Sequence, residues 1–171
     1  VGDVVISAAG SDTNGVPNVV KLANAAQASG VPLGIIVGIR VADPGVSLVG
    51  TTLDLANNFV PKTKARDYYV FVVDDPNVMF EVQFDSTSIA ATDLHKNASL
   101  SITNDQSSTL AAYSPNSSTV LTAPNTTNTL PIRVLGAVQR PDNAVGAYVR
   151  VIAKFNNHEF GVGTGTNFTG V

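Results

Sequence analysis

The chain has 171 residues and a mass of 17.7 kDa, enough for one domain that removes roughly 70% of its unfolded surface from water. It contains no cysteine, which excludes disulfides, thiolate metal sites, CxxC redox chemistry and a cysteine nucleophile. Formal net charge is -3 and charged residues make up only 13% of the chain; they lie singly along the sequence, so no basic stripe is offered to a phosphate backbone and nucleic acid is not an expected partner.

Mean hydropathy is +0.18, yet no apolar run approaches the roughly 18 residues a membrane helix needs, so no membrane partner is expected. A chain this poor in charge is expected to cover part of its surface with neighbours. It opens "VGDVVISAAG" without an initiator Met and without a signal-peptide pattern, which points to upstream residues having been processed or left out.

In chain order, the first strand signal is "DVVIS" (Asp3 to Ser7). "VVKLANAAQASG" (Val19 to Gly30) offers at most two helical turns closed by Gly30 and lacks a clear 3.6 period, so little helix is expected. Strands follow at "LGIIVGIRVA" (Leu33 to Ala42), "YYVFVV" (Tyr68 to Val73) and "VMFEVQF" (Val78 to Phe84). From Ser86 to Thr129 the composition turns to Ser, Thr, Asn and Ala, which reads as a long surface insertion resting on another subunit. "IRVLGAVQR" (Ile132 to Arg140) and "AYVRVIAKF" (Ala147 to Phe155) are joined by "PDNAVG" and read as a hairpin. In the second of these, Val149, Val151, Ala153 and Phe155 fall on one face, the period of two of a half-buried antiparallel strand. Gly34, Gly38 and Gly136 lie inside strands, where glycine marks a bulge, a bend or close backbone approach. Residues 161–171 read as a flexible tail with Phe168 as an anchor. The expected fold is all-β, a single domain over 1–171, built as a small barrel or sandwich of antiparallel strands.

Candidate chemistry is sparse. Asp74-Asp75-Pro76-Asn77 has the composition of a reversal between two strands, and adjacent strand residues point to opposite faces, so the two carboxylates are poorly placed to share a proton or a metal. The two histidines, His95 and His158, sit in polar contexts without a second imidazole at ligand spacing and read as exposed turn residues. "GVGTGT" lacks the lysine of a phosphate loop. Four N-x-S/T triplets, at Asn97, Asn116, Asn125 and Asn167, arise readily by chance in so Asn/Ser/Thr-rich a chain. No catalytic residue, metal ligand or cofactor is nominated, and no enzyme activity is expected.

Four stretches carry a resemblance: "GDVVISAAGSDTNGVPNVV", "PLGIIVGI", "YYVFVVDDPNVMFEVQFD" followed by "AATDLHKNASL", and "LPIRVLGAVQRPDNAVGAYVRVIAKFNNHEFG". Their order over most of the chain resembles the capsid decoration, or cement, proteins of tailed bacteriophages. The resemblance implies a non-enzymatic virion protein that binds the major capsid protein on the outer surface of the head, acts as a homotrimer and clamps neighbouring capsomers. Such proteins typically carry an extended arm before "GDVV", which is missing or very short here. Capsid and subunit contacts are then expected from Val1, Val4, Val5 and Ile6, from Tyr113, Pro115 and Pro124 in the insertion, and from Phe168 in the tail. The alternative, from a different class, is a receptor- or glycan-binding module of a tail fibre, spike or adhesin, with Tyr68, Tyr69 and Tyr113 as its aromatic candidates.

Overall fold

The computed structural model describes residues 1–23, 31–41, 59–60, 67–102 and 117–161. Among these lie the strands β1 (Val4–Ser11), β2 (Pro17–Lys21), β3 (Gly34–Val41), β4 (Tyr68–Val73), β5 (Met79–Gln83), β6 (Asn97–Ala98), β7 (Leu100–Ile102), β8 (Thr119–Leu121), β9 (Ile132–Ala137) and β10 (Arg150–Phe155). The helical element among the described residues is a single 3-10 turn, Ala91–Asp93, and no helix there is long and apolar enough to cross a membrane. The expectation of an all-β fold with little helix holds.

Two four-stranded sheets form, in the orders β2-β1-β3-β4 and β5-β10-β9-β6, with β7 and β8 as a separate pair. All the strand pairings within them are antiparallel. One buried cluster joins the sheets: Val4 and Leu22 from the first, Phe84, Val134, Val151 and Phe155 from the second, and Leu100 and Leu121 from the β7/β8 pair. Each fully buried side chain of this size contributes roughly 1.5–3 kcal/mol. The alternation read in β10 is realised, since Val149, Val151, Ala153 and Phe155 are buried while Arg150 is exposed.

The strand glycines do two different jobs. On Gly34, a Cβ would run into the Val73 carbonyl oxygen, so β3 and β4 approach as closely as they do because no side chain intervenes. Gly38 and Gly136 adjoin shifts of register, between β3 and β4 and between β9 and β10, which are the bulges their positions predict.

One open reading is resolved and three expectations need correction. Val19 to Lys21 belong to strand β2, paired with Ser7, Ile6 and Val5; adjacent β-branched valines favour the pleated edge over a helical turn, and residues 24–30 lie outside the described residues. Asp75-Pro76-Asn77-Val78 does form the turn, with Val78 N–H donating to the Asp75 carbonyl at 3.1 Å and Asn77 N–H to Asp75 Oδ1 at 2.8 Å. It does not close a hairpin, however: β4 pairs with β3 and β5 with β10, so the turn is the corner at which the chain passes from one sheet to the other. The stretch 86–129 is no mere surface excursion either, because Ile89, Ala98, Leu100 and Leu121 in it are core residues. Finally, His158 is buried, with only 3% of its surface exposed, whereas His95 occupies an exposed turn as expected.

Candidate interaction surface

Several described polar side chains are held in structural bonds. Asp12 caps the β1–β2 turn, accepting from Asn14 N–H and Val16 N–H at 2.8 Å each. Its other oxygen accepts from the Tyr69 hydroxyl at 2.6 Å. The Tyr69 bond first, and the Val16 amide second, hold the Asp12 carboxyl below its usual range. Asp93 is held by Lys96 at 2.7 Å and by the Ala90 amide at 2.8 Å, which likewise lower its pKa. Neither aspartate is therefore poised as a general base.

His158 is enclosed by aromatic rings, with Phe155 at 5.3 Å and Phe160 at 6.1 Å between centroids. Its Nδ1 accepts the Phe160 N–H at 3.1 Å, which places the proton of the neutral ring on Nε2, a buried atom that meets no acceptor in good hydrogen-bond geometry among the described residues. Burial pushes the imidazole pKa down, against the opposing pull of the Leu33 backbone and of Asp74, Glu159 and Asp75. A neutral, enclosed histidine of this kind stabilises the end of the chain's last described turn. Nearby, Ser7 Oγ donates to the Glu159 carboxylate, lying 2.6–2.7 Å from its two oxygens, and ties that turn to β1. Among the described residues, no group of three or more His, Asp or Glu side chains is arranged to hold a metal ion.

The expected contact residues are scattered. Val1 is exposed, and its ammonium pKa is lowered first by partial burial. Val4 and Val5 are 2% exposed, which is a correction: their side chains are committed to the interior and have nothing to offer a partner. Ile6 is half-buried and packs against the core, and Pro124 is half-buried. Tyr113, Pro115 and Phe168 lie outside the described residues. The start of the chain is pinned, with Gly2 N–H donating to the Ile36 carbonyl at 2.7 Å, and with Asp3 accepting from Ser117 Oγ at 2.7 Å and pairing with Lys21 at 3.2 Å. Of the glycan acceptors, Asn97 is buried and donates to the Thr127 carbonyl at 3.0 Å, which removes it as an attachment point; Asn125 is exposed, and Asn116 and Asn167 are outside the described residues.

What the surface does offer is apolar side chains on sheet edges: Val20 on β2, Phe71 on β4 and Met79 on β5, the last 65% exposed. Phe84 N–H donates to the Val149 carbonyl, so by the alternation of an antiparallel ladder the backbone groups of Met79, Glu81 and Gln83 point away from β10, toward the side of β5 that no strand pairs among the described residues, short of the Phe84–Leu121 bridge at its end. An open cleft of about 390 Å³ lies beside β5, lined by Val4, Ile35, Phe80, Val82 and Ser117. No sequence signal marks this edge, because it follows from which strand β5 joins.

Comparison with protein-family models, with curated proteins and with solved structures finds no match to the chain. The likeness to capsid decoration proteins therefore rests on the quoted residues alone.

Proposed function

We propose that this chain is a structural protein of a tailed-phage particle that binds the outer surface of the icosahedral head, bridging neighbouring coat subunits as a homotrimer. The observation that carries this reading is the exposure of the apolar side chains Val20, Phe71 and Met79 on strands that, among the described residues, lie at the margins of their sheets. Beside the proline and charge that ordinarily blunt such edges, here Pro17, Lys21 and Glu81, these apolar side chains suit a chain whose surface is completed by neighbours.

In this reading the mechanism is additive binding without a chemical step. Each copy binds the assembled lattice in preference to free coat protein and so stabilises the assembled state by mass action. Contacts that are weak singly become firm when repeated around a trimer.

The test is to mix the purified chain with expanded and with unexpanded heads and to measure co-sedimentation and the temperature at which the heads disrupt. The expected result is saturable binding to expanded heads and a raised disruption temperature. Failure to bind either form would contradict the reading.

A further inference from the structure

The ten lysines and arginines are dispersed along the sequence, but the second sheet gathers four of them. On β10 the core side takes Val151, Ala153 and Phe155, so Arg150, Ile152 and Lys154 lie on the outer face. Register places Arg133 of β9 directly opposite Lys154, and Gln83 and Met79 of β5 opposite Arg150 and Lys154. Arg140, just beyond β9, reaches across the same face to Glu81 on β5.

The electrostatics of this face are unbalanced. Glu81 Oε1 serves two guanidinium groups, Arg140 at 3.0 Å and Arg150 at 3.5 Å. Asp142 lies 3.8 Å from Arg140 at an exposed turn. No carboxylate among the described residues lies within ion-pair distance of Lys154 or Arg133, although Arg133 donates to Asn97 Oδ1 at 3.4 Å. With Glu81 and Asp142 counted, the face still carries more positive than negative charge in a chain whose net charge is -3. Two like charges directly opposite on neighbouring strands disfavour the isolated fold, so the Arg133–Lys154 pair is a cost that an anionic partner relieves.

We propose that the outer face of β5, β10 and β9 is a docking face for an acidic protein surface, which, on the reading given above, is an acidic patch of the coat lattice. Charge complementarity selects the sign of the partner. Protein is favoured over nucleic acid because the face interleaves its cations with the Glu81 carboxylate and with apolar side chains and presents no unbroken basic stripe. Met79 and Ile152 on the same face also gain nothing from a phosphate backbone, whereas arginine and methionine are enriched in protein interfaces.

The test uses Lys154→Glu in the full chain. Replacing one of two facing cations turns a repulsive cross-strand pair into an attractive one, so the variant is at least as stable to urea as the parent. It nevertheless binds expanded heads about tenfold more weakly, and the parent's binding falls steeply with added salt. Unchanged binding by the variant, or binding of the parent that ignores salt, overturns the proposal, as does tighter binding to duplex DNA than to heads. Poly-L-glutamate separates the two readings. If the parent binds it and Lys154→Glu does not, while neither binds heads, the docking face stands and the cement reading falls. If the parent binds neither poly-L-glutamate nor heads, both fall.

Discussion

The Tyr69 hydroxyl donates to Asp12 Oδ2 at 2.6 Å, joining the turn between β1 and β2 to the edge strand β4 across 57 residues of sequence. One carboxylate thereby shapes its own turn and ties that turn to the far side of the sheet. The folded state favours the ionised carboxyl, so Asp12 contributes stability that is present above its ordinary value of 3.8 and is lost as pH falls through its depressed folded value. Asp12→Asn is expected to unfold at lower urea than the parent near neutral pH and to flatten the acid limb of the stability profile. Equal acid dependence in parent and variant counts against the assignment.

His158 has the same sign for a different reason. Burial depresses its pKa below the ordinary 6.5, so the unfolded chain binds a proton before the folded one does. The His158 contribution is complete above 6.5 and declines as pH falls toward the folded value. His158→Phe retains an aromatic ring against Phe155 and Phe160 and removes the titration. Urea unfolding between about pH 8 and about pH 5 should slope for the parent and run flatter for the variant.

Gly34 and Gly136 separate two uses of glycine. Gly34→Ala drives a methyl group into the Val73 carbonyl and is expected to cost about 3 kcal/mol or more. At Gly136 a Cβ meets nothing within 4 Å, so Gly136→Ala is expected to be neutral or stabilising by about 0.5 kcal/mol through the unfolded chain. Chemical denaturation of the two variants side by side checks the contrast.

Leu121 is fully buried within the Ser/Thr/Asn-rich stretch, and Asp85 N–H donates to its carbonyl at 2.8 Å. Leu121→Ala is expected to cost about 2–5 kcal/mol, as a core truncation does. A loss below about 0.5 kcal/mol, typical of a surface change, would falsify its place in the core. Removing the whole stretch is correspondingly a folding experiment and says little about contacts with a partner.

Legibility in the sequence followed the range of the interaction. β4 was readable to the residue because "YYVFVV" combines β-branched and aromatic residues between breakers, and the inward face and end of β10, though not its start at Arg150, because its alternation is unbroken. Turn chemistry located the corner at Asp75-Pro76, but a turn specifies only a local reversal; which sheet the next strand joins is decided by the pairing of β5 with β10, some 70 residues on. The β1–β2 hairpin was missed although "SDTNGVP" carried its signal, with Gly15 at φ +80° in the turn. His158 was misread because its sequence neighbours are polar, while the rings that enclose it come from positions three before and two after. Ile89, Leu100 and Leu121 were hidden by their isolation among hydroxyl residues. The cationic face was half legible, since the alternation of β10 puts Arg150 and Lys154 on one side, whereas the addition of Arg133 follows only from the register of β9 on β10.

The most direct measurement is the copy number of this chain in purified particles from its source, by quantitative mass spectrometry against the most abundant shell protein. A structural role on the head predicts hundreds of copies in a simple ratio to the coat. A handful of copies contradicts it and points to a receptor- or glycan-binding module of the tail, and absence from particles removes the structural role altogether.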